Sequence, residues 1–376
     1  MIRAGWIRAG GLAAAISAQC AVMAVAQTPM RADLVRESFK IETTIDGKAH
    51  SLEAVAVLPP GDGPFPLAIV AHGTPRGGIA AYPTVSPMTF VPQLEEFARR
   101  GYAAVLALRR GFGQSSGPAV EFTPGCDASD HVASVRESGK DMRAIAAALR
   151  QHAKIDASRI LAVGISTGGL AVLSMGTEPV DGLMRAIAFA PVRGSRGTHD
   201  ICNVNRLVEA VARIGTASRV PTHWIYAAND SFASPALARR LFDAYRGAGG
   251  VGEVIELPAW DRDGHDIFSR AGIPAWRPVV DEILSQAALP NWPPPPNDPP
   301  WPDLPPPPGL SPAAQAGWQQ YLRAPPNKAF AANAVGNWAY RNGYRTPEAA
   351  RDAALIACHG RLENCRIVAV DDAYAR

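Results

Sequence analysis

What this sequence lacks narrows its chemistry before any motif is read. Its 376 residues hold 37 basic side chains against 34 acidic ones, and no cluster of Lys or Arg forms a basic stripe. Residues 1–26 carry Arg3 and Arg8 and no acid, so without them 35 basic residues face 34 acidic ones. The sequence pI near 8.6 therefore makes no case for nucleic acid as a partner. There is no P-loop and no G-x-G-x-x-G after a strand, which removes the usual phosphate cradles. No two histidines stand at metal-ligand spacing. The run Asp261-Arg262-Asp263-Gly264-His265-Asp266 lacks the spacing and the distal Glu of a calcium loop. Neither metal nor cofactor is expected. Charged residues make up only 19% and hydrophobic ones 47%, a balance that excludes a disordered chain or a coiled coil.

One hydrophobic run stands at the start. Arg3 and Arg8 precede an alanine-rich stretch, residues 11–26, that ends in Ala24-Val25-Ala26. That is the layout of a secretory signal with an A-x-A cleavage site before Gln27. The stretch contains Ser17 and Gln19 and falls short of the ~20 apolar residues a membrane span needs. Gln19 stands where a lipoprotein signal would put a small residue before Cys20. No other stretch is apolar enough to cross a bilayer, so the mature chain is expected to be periplasmic or secreted, with no stable membrane anchor. Export also changes the cysteine arithmetic. Cys20 leaves with the signal, and an even set remains: Cys126, Cys202, Cys358 and Cys365. In an oxidising compartment these allow two disulfides, with three connectivities. Proximity favours Cys358 with Cys365, which leaves Cys126 for Cys202.

A proline tract divides the mature chain. Between Pro290 and Pro312, 13 of 23 residues are proline, and a segment so depleted of amide donors reads as an extended spacer. Before it, residues 32–289 alternate strands with helices, which implies an α/β fold with a mostly parallel sheet covered on both faces. A hairpin around Asp46-Gly47 pairs 41–45 with 52–57. Strands are expected at 66–71, 102–108, 159–164, 186–190, 222–227 and 252–257. Helical apolar spacing marks 90–100, 132–153, 235–245 and 277–286. Residues 313–376 read as a small α+β domain. It has strand signals within 328–340 and 366–370, and a helix from Thr346-Pro347 to about Cys358. A Cys358–Cys365 staple would support so small a core. The aromatics Trp318, Tyr321, Phe330, Trp338, Tyr340 and Tyr344 are read as its core rather than as a carbohydrate platform.

The chemistry centres on Ser166. Ile160-Leu161-Ala162-Val163 is the apolar run of a buried strand, and it leads into Gly164-Ile165-Ser166-Thr167-Gly168 and then the start of a helix. This is G-x-S-x-G in strand–turn–helix context, a turn so sharp that side chains at 164 or 168 would collide with backbone. A serine hydroxyl is a weak nucleophile and needs a histidine base oriented by a carboxylate, here in the chain order Ser, Asp, His. Asp230 ends the strand 222–227, and His265 follows the strand 252–257, so both lie beyond carboxyl ends of strands. Asp261, Asp263 and Asp266 share the histidine's loop and read as surface charges. His223, inside a strand, reads as a core imidazole with a hydrogen-bonded partner. His72 closes a strand, while His50, His131, His152, His199 and His359 have no comparable placement.

Five segments together resemble a known family: Ala71-His72-Gly73-Thr74, the run Arg109 to Gly117 (RRGFGQSSG), the elbow at Ser166, Asn229-Asp230-Ser231-Phe232, and Gly264-His265-Asp266. Residues 32–289 resemble an α/β hydrolase of the dienelactone hydrolase-like group, with similarity to acyl-peptidase and cocaine-esterase branches. Dienelactone hydrolases proper use cysteine where this elbow has Ser166. The loop His-Gly-Thr-Pro-Arg-Gly-Gly also departs from the His-Gly-Gly-Gly of many lipases. Residues 313–376 resemble a small domain of exported bacterial proteins. The resemblance implies two-step acyl transfer by Ser166, His265 and Asp230 on a small-molecule ester. The elbow supplies the Thr167 N–H to the oxyanion, and the resemblance points to Thr74 rather than Gly73 for the second donor. Arg109 and Arg110 end a strand near the site, placed either to hold an acidic substrate group or to form structural ion pairs. A serine peptidase of the same fold, or an idle hydrolase fold acting as a binding module, are the alternatives.

Overall fold

A computed structural model describes residues 34–75, 77–122, 125–292, 301–359 and 364–375. The expected signal, residues 1–26, lies outside the described residues, as does 293–300 of the proline tract. Among the described residues no helix is long and apolar enough to cross a membrane.

The chain opens with the expected hairpin, β1 (Val35–Ile45) and β2 (Lys48–Leu58), and continues through β3 (Phe65–Ala71), α1 (Val91–Ala98) and β4 (Ala103–Ala107). Next come α2 (His131–Leu149), β5 (Ile155–Ile165), α3 (Thr167–Met175) and β6 (Leu183–Phe189). A short ribbon, β7 (Ser195–Gly197) with β8 (Asp200–Ile201), precedes α4 (Val204–Ala217). The first domain closes with β9 (Thr222–Ala227), α5 (Pro235–Gly247), β10 (Gly252–Leu257) and α6 (Ile273–Gln286). Among the described residues, eight strands form one sheet in the order β1-β2-β4-β3-β5-β6-β9-β10. β2 pairs antiparallel with β1 and β4, and every later pairing is parallel.

Burial explains why the central strands read as unbroken apolar runs. Leu67 to Ala71 and Ile160 to Val163 are wholly buried, because helices cover both faces. On one face α2, α3, α4 and α5 contribute Met142, Ile145, Leu173, Val211 and Leu241 to the core. On the other, α1 and α6 pack Leu94, Phe97, Trp276, Val280 and Ile283. β5 begins earlier than expected, at Ile155, and α6 starts at Ile273 rather than at 277. Helix α4 is an addition to the expected elements; Leu207, Val211 and Ile214 recur along it at helical spacing and are buried.

The second unit is α7 (Pro312–Leu322), β11 (Ala329–Ala332), β12 (Trp338–Arg341), α8 (Pro347–His359), β13 (Arg366–Val370) and β14 (Ala373–Tyr374). Among the described residues its strands run β12-β11-β13-β14, all antiparallel. Under α8 the sheet buries small side chains, Ala329, Ala331, Ala350, Ala354 and Cys358. Under α7 it buries Trp318, Tyr321 and Phe330, so these aromatics are core. Helix α7 was hidden behind the proline tract; Ser311 caps it, with Pro312 in its first turn. The end of that tract packs onto the module: Leu304 and Leu310 cover its aromatic side, and Trp318 Nε1 donates to Leu304 O at 2.9 Å. The module docks on the larger domain through Arg345, whose Nε and Nη2 donate to Glu53 at 2.7 and 2.9 Å. Both disulfides are present, Cys126–Cys202 and Cys358–Cys365.

Candidate active site

The carboxyl edge of the sheet gathers the loops after β3, β5, β9 and β10. At the end of β5, Ser166 takes φ 57° and ψ −122°, outside the regions a serine ordinarily occupies. Such a conformation costs about 1–3 kcal/mol and persists only where the surroundings impose it. Here Ser166 N donates to Phe189 O at 2.9 Å, while Ser166 O accepts the first helical bond of α3 from Leu170 N at 3.1 Å. The two glycines make the turn possible. A Cβ on Gly164 would lie 2.2 Å from Gly168 O, and one on Gly168 would lie 2.3 Å from Ala71 O.

Asp230, fully buried beyond β9, accepts the amides of Phe232 and Ala233 on Oδ1 at 2.7 and 2.9 Å. Its two oxygens then receive His265 Nδ1 at 3.2 and 3.1 Å. The Phe232 ring stacks on the imidazole, with centroids 3.8 Å apart. His265 is thus clamped at Nδ1 and on one face, and its Nε2 lies on the ring edge away from Asp230. Among the described residues no hydrogen bond joins Ser166 Oγ to His265; both line the same cleft.

Several positioning residues escaped the sequence reading. Asp263 is not a surface charge: its Oδ1 accepts the amides of His265 and Ser231, each at 2.9 Å, and Oδ2 accepts the Ser231 hydroxyl. Burial alone would push this carboxyl up, but the Ser231 hydroxyl and those two amides outweigh it and hold it below its usual range. Asp261 and Asp266 are exposed, as expected. Asn229 ties the β9 and β10 loops together, giving Nδ2 to Trp260 O at 3.1 Å and taking Trp260 N at 2.8 Å. His199 reaches Asp230 O through Nε2 at 3.0 Å. His72 is fully buried and pins the β3 loop to the β4 loop. Its Nδ1 donates to Gly73 O at 2.8 Å, and Nε2 accepts the Arg109 amide at 3.1 Å. Burial first, then the Arg109 charge, keeps His72 well below the usual imidazole range, so it is neutral. His223 is the core imidazole expected, with Nδ1 2.9 Å from Glu253 Oε1.

Arg109 and Arg110 are paired with carboxylates within the fold. Arg109, wholly buried, pairs with Glu121 through Nε and Nη2, donates to His72 O at 2.8 Å and reaches the Thr167 hydroxyl at 3.4 Å. Arg110 pairs with Asp141 at 2.6 Å and Glu137 at 3.2 Å. Burial raises Asp141 to about 6 against the pull of Arg110. Both arginines are committed to structural ion pairs, the second of the two roles expected.

Ser166 stands between two pockets. One, of about 490 Å³, is bounded by Thr74, Tyr82, Thr167, Arg193, His131 and the Cys126–Cys202 bridge, among others. The other, of about 760 Å³, is lined by His265, Asp263, Phe268 and Ser269, and by Arg323, Pro325 and Asn342 of the C-terminal module. The hydroxyls of Thr74 and Thr167 hydrogen-bond to each other at 2.9 Å, and both residues line the smaller pocket with Ser166. Thr167 is the first residue of α3, whose amide has no partner within the helix. Among the described residues no group of three or more His, Cys, Asp and Glu side chains is placed to hold a metal.

Residues 89–215 match the family described as serine aminopeptidase, S33. No curated protein sequence matches the chain. Among solved structures, a Pyrococcus furiosus esterase is 15% identical, covering 67% of this chain and 91% of its own, with a TM-score of 0.47. Esterase 2 of Thermogutta terrifontis is 20% identical, covering 67% and 94%, with a TM-score of 0.45. An acylaminoacyl peptidase of Pyrococcus horikoshii is 15% identical, covering 70% of this chain and 43% of its own, with a TM-score of 0.45. With its strand order, its elbow after β5 and the family match across α1 to α4, the chain has the α/β-hydrolase fold.

Proposed function

We propose that this chain is an exported serine hydrolase that cleaves carboxylic esters through an acyl-enzyme intermediate. The observation that carries the reading is the strained Ser166 at the mouth of two pockets, beside an imidazole already oriented by a buried carboxylate. In this reading Ser166 Oγ attacks the ester carbonyl while His265 Nε2 takes its proton. The tetrahedral oxyanion is held by the amides of Thr167 and Thr74, and each such donor is worth about 2.7–4 kcal/mol in the transition state. As the carbonyl–oxygen bond breaks, His265 returns the proton to the departing alcohol. Water then repeats the sequence on the acyl-serine. Asp230 keeps the imidazole in the productive tautomer and steadies it when charged.

Backbone strain of this kind is retained for a purpose, which favours a working nucleophile over an idle binding module. The match to a serine aminopeptidase family keeps amide hydrolysis as the second reading. Export is supported by the two disulfides, since such bonds persist in oxidising compartments. Turnover of short-chain activated esters and of a peptide panel, with Ser166→Ala as control, separates these readings. Ester cleavage lost in the variant is the expected result. Peptide cleavage without ester cleavage selects the aminopeptidase reading, and no turnover of either selects the binding module.

A further inference from the structure

The smaller pocket beside Ser166 holds a cation that the fold neutralises only in part. Arg193, on the loop after β6, is only 9% exposed and lines this pocket with Ser166, Thr74 and Tyr82. Among the described residues its guanidinium makes no hydrogen bond. Its nearest carboxylate is Glu121 at 3.7 Å, and that carboxylate is already held by Arg109 through two N–H groups. Two buried guanidinium groups therefore share one buried carboxylate. The neighbouring titratable groups do not restore the balance. His131 is kept neutral, chiefly by burial, with Nε2 spent on Cys202 O at 2.7 Å. Burial likewise keeps Tyr82 protonated and His72 uncharged. Arg196, also on the pocket wall, is exposed and paired with Asp200 at 2.8 Å. Leaving a buried cation short of partners is costly, and an anion entering the pocket would relieve that cost.

The layout also says which part of a substrate enters. On the triad reading, His265 must hand a proton to the leaving oxygen, so the alcohol lies on the His265 side. His265 lines the larger pocket and not the smaller one, so the acyl part occupies the pocket of Arg193. We propose that Arg193 binds a carboxylate at the far end of the acyl chain, making half-esters of short dicarboxylic acids the preferred substrates. Hydrolysis then breaks the ester carbonyl–oxygen bond, water supplying hydroxyl to the acyl group and a proton to the alcohol. The products are a dicarboxylate and an alcohol. This inference rests on the serine hydrolase reading and adds the acyl class to it.

The test compares monoethyl succinate, glutarate and adipate with the corresponding neutral ω-amide ethyl esters, using the full-length mature chain. The wild type should favour at least one half-ester over its amide by about tenfold or more in kcat/KM, the scale of one charge-assisted hydrogen bond. Added salt should shrink that ratio. Arg193→Gln should bring the ratio near one, and Arg193→Lys should keep part of it. Should Arg193→Gln fail to fold, inhibition of neutral-ester turnover by free glutarate and adipate in the wild type decides: competitive inhibition supports the site, and its absence overturns it. A wild-type ratio near one for all three acids, or a preference that survives in Arg193→Gln, overturns the inference. If in that case neutral esters are still cleaved and a fluorophosphonate still labels Ser166, the hydrolase reading stands. If neither occurs, the hydrolase reading itself has failed.

Discussion

The two units solve the problem of burial in opposite ways. The eight-stranded domain covers both faces of its sheet with apolar side chains, and several of its buried polar groups fasten loops at the carboxyl edge. Asp230, His72, Asp263 and Arg109 all serve that edge. The C-terminal module has little apolar bulk under α8, where alanines meet the Cys358–Cys365 bridge. It also buries a lysine outright: Lys328 Nζ donates to Leu322 O at 3.0 Å and to Ala324 O at 3.2 Å, and pairs with Asp372 at 2.9 Å. A large core can support strain and charge at a reactive site. A small one spends its polar groups on holding itself together, and contributes to the site as a wall, through Arg323, Pro325 and Asn342.

The largest effects are expected where the large core holds Ser166. Ser166→Ala and His265→Ala should each lower kcat for an activated ester by about 10⁵- to 10⁶-fold, and the double variant should be scarcely worse, because triad members act as a unit. Asp230→Asn should fold and lose about 10⁴-fold, with the imidazole in the wrong tautomer. Single-turnover kinetics on folded variants checks all three.

The disulfides sharpen the comparison in stability. They close spans of 76 and 7 residues, which chain entropy converts to about 4.5 and about 2.4 kcal/mol respectively. Removing Cys126–Cys202 by paired Ala substitution should therefore cost the larger domain more, by denaturant titration, than removing Cys358–Cys365 costs the module. Since Cys126 and Cys202 line the Arg193 pocket, the first variant should also alter substrate preference, and the second should not.

A smaller effect should appear in the module alone. Burial drives Lys328 down to about 8, against the pull of Asp372. The unfolded chain holds that proton up to its ordinary value near 10.5, so between pH 8 and 10 the unfolded state binds more protons than the folded one. Module stability should therefore rise across that window, by on the order of 2 kcal/mol. Above pH 10 the buried Tyr321, whose ionisation burial pushes far up, opposes further gain. Hydrogen-exchange protection of β11 amides measured at pH 8 and pH 9.5 reads the rise, after correction for intrinsic exchange, and Lys328→Met should flatten it.

What was legible in the sequence had a local cause. The buried parallel strands read as unbroken apolar runs, and the elbow was visible because its glycines answer a steric demand within five residues. Asp230 and His265 were visible because each follows its own strand. What was missed depends on partners distant in the chain. Arg109 finds Glu121, Asp263 finds the Ser231 amide from the neighbouring loop, and Arg193 is defined by what Glu121 has already given to Arg109. No periodicity marks such groups, and only the folded loops bring them together. Helix α4 is different, since its apolar spacing at Leu207, Val211 and Ile214 is a local signal within the sequence itself.

The central claim is that Ser166 is a reactive nucleophile, and its most direct test is covalent. Wild-type protein treated with a fluorophosphonate and mapped by peptide mass should carry one adduct, on the peptide containing Ser166, and a folded His265→Ala variant should label far more slowly. An adduct on another residue, or none on folded protein, would contradict the account.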